Sequence, residues 1–367
     1  MLYKYTVMHE PFTVIPINPI KGRGSATRMA HRFEKDEREP FDDGWAVQAE
    51  EATRMATTWT WEDAKSAISR NTSPDIGFDL SINPYRGCEH GCSYCYARPS
   101  HSFLGLSPGL DFETRLMAKR GLADRLEHEL SSPRYRPAMM ALGTITDAYQ
   151  PLDRELQVTR EVLQVLHDCQ HPMSVVTKGS GIERDIDLLA PMAARRQAGV
   201  YVSVTTLDAE LARRMEPRAA APWRRLRTIR TLVDAGIPVG VSVSPQIPFI
   251  NDDMEQVLEA ARDAGATSAF YVVLRLPWEL SPLFRQWLDL HYPDRAARVM
   301  ARMHDLRGGK DYDASFATRR SGQGIWADLI AQRFDKACRR LGLNRQRHVW
   351  NVDGFKPPSR TGQMGLF

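Results

Sequence analysis

In the stretch Asn83-Pro84-Tyr85-Arg86-Gly87-Cys88-Glu89-His90-Gly91-Cys92-Ser93-Tyr94-Cys95-Tyr96-Ala97-Arg98, three of the chain's five cysteines stand within eight residues, at C-x3-C-x2-C spacing. They follow the strand-forming run Phe78-Asp79-Leu80-Ser81-Ile82, which puts them on a loop leaving a strand. An odd count with this clustering is unlike a disulfide framework, and in a reducing compartment such a group more often holds metal. Two metals compete for it. Zinc prefers four tetrahedral ligands, so His90 or His101 would have to join Cys88, Cys92 and Cys95. An iron-sulfur cubane ordinarily takes four thiolates, and three would leave one iron open to a substrate or cofactor. Unligated thiols crowded on such a loop would be an oxidation hazard.

Outward from this loop, short apolar runs alternate with helical patterns. Residues 112–118 read as a strand and 122–130 as a helix; 139–146 read as a buried strand, followed by a helix carrying Leu156, Val162, Leu163, Leu166 and Cys169 near 3.6 spacing. The unit repeats as strand 173–178 with helix 183–195, strand 200–206 with helices 208–214 and 222–235, strand 239–243 with helix 253–264, and strand 268–274 before a further helical region. This alternation predicts parallel strands joined by right-handed crossovers. About six units are too few for a closed eightfold barrel and suit an open one, so the expected fold is α/β, a partial (β/α)6 barrel over residues 78–280. Loops leaving the C-terminal ends of its strands gather on one rim, the cysteine loop among them.

The flanks differ from this body. Residues 1–77 form a charged, partly ordered N-terminal arm, in which Lys21-Gly22-Arg23-Gly24-Ser25 and residues 32–40 read as loop and Trp59 and Trp61 near Ile68 suggest packing onto the body. Residues 281–367 are expected to be a basic helical C-terminal extension, with a turn at 306–310 and a flexible tail. Trp326, Leu329, Ile330, Phe334, Ala337, Cys338 and Leu341 fall on one helix face, which makes Cys338, like Cys169, a core residue.

Over 367 residues, 43% hydrophobic and 26% charged content is ordinary for a globular protein. No apolar run approaches the roughly 18 residues of a membrane span, and the start lacks a signal-peptide layout, so a cytoplasmic location with no membrane partner is expected. The net charge of +4 hides an asymmetry: residues 281–367 carry 16 Lys and Arg against 8 Asp and Glu, while residues 1–280 carry 33 against 37. A basic extension fits nucleic acid, although a solvated helical face has the same composition.

The cysteine motif, with an aromatic before its last cysteine, resembles the radical S-adenosylmethionine (SAM) superfamily. The wider context resembles its spore photoproduct lyase-related, DNA repair photolyase-like branch, through residues 83–99, Thr146-Asp147-Ala148-Tyr149-Gln150-Pro151, Thr177-Lys178-Gly179, Thr205-Thr206-Leu207-Asp208, Glu216-Pro217-Arg218 and residues 245–252. The resemblance implies a [4Fe-4S] cluster on Cys88, Cys92 and Cys95, whose open iron chelates SAM, and reductive cleavage of SAM to a 5′-deoxyadenosyl radical. It places Tyr94 against the adenine, Thr146 on the methionyl amino group with Asp147 beside it, Lys178 on the SAM carboxylate, and Ser203 and Thr205 near the ribose or carboxylate. Glu216 and Arg218 would pair with each other as a structural clamp. Thr144 stands where spore photoproduct lyases place a hydrogen-donating cysteine, and its O–H bond is too strong for that role; Tyr96, Tyr149 or Tyr271 would take a radical instead, with Tyr96 and Tyr149 as the catalytic candidates.

The expected substrate is a nucleic-acid base in DNA repair. The alternatives are RNA, a protein side chain, or a non-catalytic metal-binding module that recruits partners. An external electron donor such as flavodoxin or ferredoxin is implied. The terminal Gln363-Met364-Gly365-Leu366-Phe367 resembles the short peptides that dock on the replication sliding clamp, with Gln363, Leu366 and Phe367 as contacts.

Overall fold

The computed structural model describes residues 17–34, 55–346 and 348–358. Along the chain, β1 (Thr58–Asp63) and β2 (Ser69–Arg70) precede β3 (Leu80–Ile82) and β4 (Tyr85–Arg86). The cysteine loop and a 3-10 turn over Arg98–Leu104 lead to α1 (Asp111–Thr114), β5 (Arg115–Arg120) and α2 (Leu122–Leu130). Then come β6 (Met140–Leu142), α3 (Asp153–Leu156), α4 (Val158–Asp168), β7 (Met173–Thr177), α5 (Ile186–Ala194) and β8 (Ala198–Ser203). After α6 (Ala209–Met215), α7 (Pro222–Asp234), β9 (Val239–Ser242), α8 (Met254–Asp263) and β10 (Ser268–Phe270), the chain ends in α9 (Leu280–His291), α10 (Pro293–Leu306) and α11 (Ile325–Leu341).

Seven strands form one sheet in the order β10-β9-β8-β7-β6-β3-β2. Six are parallel, and the short β2 caps the edge by pairing antiparallel to β3. This is the open six-unit barrel that the strand–helix alternation predicts. Its strands are apolar along most of their length because helices cover one face and the barrel interior the other: Met140, Val175, Val200, Val202 and Val241 are buried with Leu163, Leu166, Leu189, Ile229, Leu232 and Leu258. Cys169 and Cys338 join this core, as expected.

Two sequence expectations need correcting. Residues 112–114 belong to α1, and the strand that follows, β5, lies outside the barrel in a separate sheet of order β1-β5-β4. The arm supplies β1, with Trp59 opposite Leu116; the Trp59 side chain packs on the core while Trp61 stays exposed beneath Arg120. On α11 the buried stripe is Ala327, Ile330, Phe334, Ala337 and Cys338, and Leu329 faces solvent. Each residue turns about 100° round a helix axis, which carries Leu329 beyond the stripe's edge.

The segment after α11 returns across the barrel. Trp350 covers Gly199, where a Cβ would meet its ring at 2.9 Å, and the Lys356 N–H donates to the Cys169 carbonyl at 2.8 Å. Gln363, Leu366 and Phe367, the proposed clamp contacts, lie outside the described residues. No described helix is long and apolar enough to cross a membrane.

Candidate functional site

The cysteine loop leaves the rim after β4, held first by a buried ion pair. Arg98 donates to the Cys92 carbonyl at 2.8 Å, the Gly91 carbonyl at 3.1 Å and the Gly109 carbonyl at 2.7 Å, and meets Glu113 at 3.0 Å. The Glu113 carboxylate also accepts the backbone N–H of Gly24 and Ser25, each at 3.0 Å, and its carbonyl accepts from Arg23 at 2.9 Å. The arm segment that reads as plain loop in the sequence is thus laid against the cysteine loop. Contact is close enough that only glycine fits, since a Cβ on Gly24 would stand 1.6 Å from the Gly91 oxygen. The Arg-Gly-Ser composition was visible in the sequence; its destination was not.

A second grip comes from the rim. Thr146 Oγ1 donates to the Gly87 carbonyl at 2.6 Å and accepts from Gln150 Nε2 at 3.1 Å, while Gln150 Oε1 takes the Glu89 N–H at 2.7 Å. The end of α6 supplies a third. Ser93 N–H donates to the Met215 carbonyl at 2.9 Å, the Tyr94 hydroxyl donates to Glu216, and Thr205 Oγ1 donates to Glu216 at 2.6 Å. Glu216 and Arg218 do not form the expected clamp with each other: Glu216 pairs with Arg225, and Arg218 with Glu89 at 2.5 Å. Glu216 through the Tyr94 hydroxyl and Arg218 through Glu89 hold two parts of the cysteine loop. Burial opposes the Glu216 charge, but Arg225 and Lys178 outweigh it and draw the carboxyl down to about 2.

Cys88 and Cys92 are buried and Cys95 is half-buried, all three as free thiols. Burial pushes the Cys92 thiol up to about 12 against the opposing pull of Lys178, and it also raises Cys88, with Asp147 and the other two sulfurs adding to it. Such thiols ionise only for a strongly cationic guest. Among the described residues no group of three or more His, Cys, Asp or Glu is arranged to hold a single metal ion. A tetrahedral zinc needs its ligands to converge on one point, whereas a cubane meets each thiolate at a different iron. One ring nitrogen of His101, a zinc candidate, is engaged: Nε2 lies 3.0 Å from the Arg115 carbonyl and the ring packs edge-on against Phe112, while Nδ1 is buried without a hydrogen-bond partner among the described residues. The donor set fits a three-cysteine cluster.

Around the thiols, polar groups divide into committed and free. Asp147 accepts from Thr177 Oγ1 at 2.6 Å, the Lys178 N–H at 2.8 Å and the Tyr149 N–H at 2.9 Å, and its Oδ2 lies 3.2 Å from His90 Nδ1. Burial alone would raise its carboxyl; His90 and these hydrogen bonds hold it well below the usual range. Lys178 Nζ and Ser203 Oγ, by contrast, make no hydrogen bond or ion pair among the described residues. The Lys178 ammonium stands 5.7 Å from the Tyr94 ring centroid. Burial works against its charge, but Cys92 and Glu216 keep it above the ordinary lysine range. Ser203 ends β8 in register with Ser242 of β9. Tyr96 is 47% exposed and donates its hydroxyl to the Thr144 carbonyl; Tyr149 is buried against Gly179. Tyr271 packs on Phe334 at 4.8 Å.

The radical SAM superfamily model matches residues 82–262, the span from the end of β3 through α8. An uncharacterized protein of Mycobacterium tuberculosis is 34% identical over 238 residues, covering 64% of this chain and 70% of that protein. The chain belongs to the radical SAM superfamily. It is accordingly a radical SAM enzyme, of a family that uses a [4Fe-4S] cluster and SAM and draws on an electron donor. An uncharacterized protein of Methanocaldococcus jannaschii is 25% identical, covering 63% of this chain and 82% of that one. The solved structure of a spore photoproduct lyase variant with bound AdoMet and dinucleoside spore photoproduct has a TM-score of 0.49 and 14% identity, covering 77% of this chain and 78% of that chain.

Proposed function

We propose that this radical SAM enzyme holds its cluster through Cys88, Cys92 and Cys95, binds SAM against Lys178 and Ser203, and acts on a nucleic-acid base in DNA repair. The cofactor assignment is carried by one arrangement: three thiols on a tightly gripped rim loop, with a lysine ammonium beside them that makes no hydrogen bond or ion pair among the described residues. When bound, the cluster and SAM supply the reductive cleavage that yields a 5′-deoxyadenosyl radical. Lys178 neutralises the SAM carboxylate. Ser203 meets the ribose, and the flat face of Tyr94 borders the adenine. Thr146, Asp147 and Thr205 keep the strand ends and the loop in place around the SAM, Thr146 through Gly87 and Thr205 through Glu216. Tyr96 is the better radical relay of the two tyrosine candidates, because it follows Cys95 directly and is partly open while Tyr149 is enclosed. Residues 78–280 form the catalytic body, flanked by the arm and the extension.

The nucleic-acid reading is supported by the basic excess of residues 281–367 and by the rim motifs that resemble the photoproduct lyase branch. A flavodoxin or ferredoxin would deliver the electron, and Gln363, Leu366 and Phe367 would dock on a sliding clamp; deleting residues 363–367 should then abolish co-purification with the clamp. The deciding assay is anaerobic reconstitution with iron and sulfide, reduction, and measurement of 5′-deoxyadenosine released from SAM. Release that damaged duplex DNA stimulates, and that Cys88→Ala, Cys92→Ala and Cys95→Ala each abolish, is the expected result. Stimulation by tRNA or peptides in place of DNA would move the substrate to RNA or protein, and no release at all would overturn the cofactor assignment.

A further inference from the structure

Beyond the cysteine loop, the mouth of the barrel carries positive charge that the fold does not neutralise. Arg275 lies five residues past β10, with its guanidinium carbon 5.1 Å from the ring centroid of Tyr96, the residue after Cys95. Among the described residues Arg275 has no ion pair or hydrogen bond, and its Nε is buried without a partner. Arg320 comes to the same place from the C-terminal extension: its carbonyl accepts the Val273 N–H at 2.8 Å, two residues before Arg275, and its Nη1 donates to the Asp75 carbonyl at 2.5 Å. The Asp75 carboxylate is itself taken by Arg319 in a bidentate pair at 2.6 Å and 2.6 Å. Arg307, almost fully buried, donates among the described residues only to the carbonyls of Val273, Leu274, Thr318 and Arg319. The nearby Asp313 carboxylate is engaged by the Ser315 N–H and the Thr318 hydroxyl.

Of four neighbouring guanidinium groups, then, Arg319 alone is matched by a carboxylate it contacts. Burial lowers the pKa of Arg320; the Asp75 carboxylate, already held by Arg319, works against this, and Arg275 and Arg319 oppose the charge further. A buried guanidinium N–H without an acceptor is costly unless a ligand supplies one. We infer that Arg275 and Arg320, beside Tyr96, form a seat for a backbone phosphate of the substrate, holding it next to the SAM site. This rests on the nucleic-acid reading above and gives that substrate a point of attachment. Guanidinium forks match the oxygens of a phosphate bidentately. A phosphate that belongs to a nucleic acid, as opposed to a free ion, is favoured by two exposed aromatic rings on the same stretches of chain as Arg275 and Tyr96. Trp278, three residues past Arg275, is 63% exposed and lies over Arg32 at 4.2 Å; Phe103, on the 3-10 turn after the cysteines, is 71% exposed and 5.4 Å from the same guanidinium. Exposed aromatic rings beside arginines are elements on which unpaired bases stack.

The test measures binding of a labelled single-stranded oligodeoxynucleotide to the full-length, cluster-loaded protein by fluorescence anisotropy over a salt series. Arg275→Gln and Arg320→Gln should each weaken binding about tenfold and reduce the salt-dependence slope by about one, whereas Arg134→Gln, on the exposed loop between α2 and β6, should change neither. An oligonucleotide with an uncharged methylphosphonate backbone should bind the wild type poorly and lose nothing further in the variants. Arg320 also ties Asp75, so thermal midpoints are compared; if Arg320→Gln does not fold, Arg275→Gln and Arg275→Lys decide, the lysine variant keeping the salt slope while losing affinity. Wild-type binding with unchanged affinity and slope in the variants overturns the seat and leaves the nucleic-acid reading standing. Equal weakening by Arg134→Gln also overturns it. No binding by the wild type fails the nucleic-acid reading itself, and competition by inorganic phosphate as effective per phosphate as by oligonucleotide would assign the seat to a free ion.

Discussion

Arg98 and Glu113 are almost fully buried, and each serves the cysteine loop from a different direction. Removing one partner of such a pair leaves a buried charge uncompensated, so Arg98→Met should cost about 3–5 kcal/mol, read from denaturant midpoints, with iron retention falling in parallel. Gly24→Ala is a sharper probe of the same contact. With its Cβ placed 1.6 Å from the Gly91 oxygen, the arm must move off the loop, and the iron content of reconstituted protein should drop while the far-UV signal is kept. Unchanged iron content would show that the arm does not support the site. The three clustered cysteines stood out in the sequence because residue type and spacing are local properties of a chain. Arg98 and Glu113 carried no comparable signal: an arginine and a glutamate fifteen residues apart suit any surface, and their burial depends on what folds over them.

At the scale of elements, His171 at the turn between α4 and β7 shows how the chain's return segment is anchored. Its Nε2 lies 2.7 Å from the Tyr135 hydroxyl and its Nδ1 3.0 Å from the Pro172 carbonyl, with Phe355 packed edge-on at 5.4 Å. Burial lowers its pKa to about 4, so the folded chain keeps the ring neutral where the unfolded chain, near 6.5, takes a proton. The unfolded state therefore binds more protons between about pH 6.5 and 4, and stability contributed by this site is lost as pH falls through that window. His171→Gln should flatten that part of the stability–pH curve in urea titrations; an unaltered curve would refute the assignment. On α11, Phe334 meets Tyr271 at 4.8 Å, and Phe334→Ala should cost about 3–5 kcal/mol by the same measurement. The helices and strands of the barrel were legible from their periods. The β1–β5 pairing was not, because a parallel pair joining residues 58 and 115 has no local pattern to announce it.

Across the whole molecule, the extension closes on the barrel from two sides. Arg333 of α11 pairs with Glu255 of α8, and Arg319 with Asp75 before β3, so part of the basic excess that suggested nucleic acid is spent inside the protein. Truncation before Trp350 should lower the unfolding midpoint of the entire chain as one transition, since it strips Gly199 of its cover and removes the bond to Cys169; a separate early transition would mean that the segment folds apart. By itself, the sequence determined the clustering of three thiols and the parallel six-unit order, because spacing and periodicity act between neighbours along the chain, while the reaction class was implied by the resemblance of its motifs to the radical SAM superfamily. Only the tertiary structure decided which polar groups are committed and which remain free. Tyr94 finds Glu216 across 122 residues, Thr146 is tied to Gly87 across 59, and among the described residues the Lys178 ammonium and the Ser203 hydroxyl are left without hydrogen-bond partners. A hydrogen-bonding group's availability depends on what the fold brings within about 3 Å of it, which no local pattern encodes.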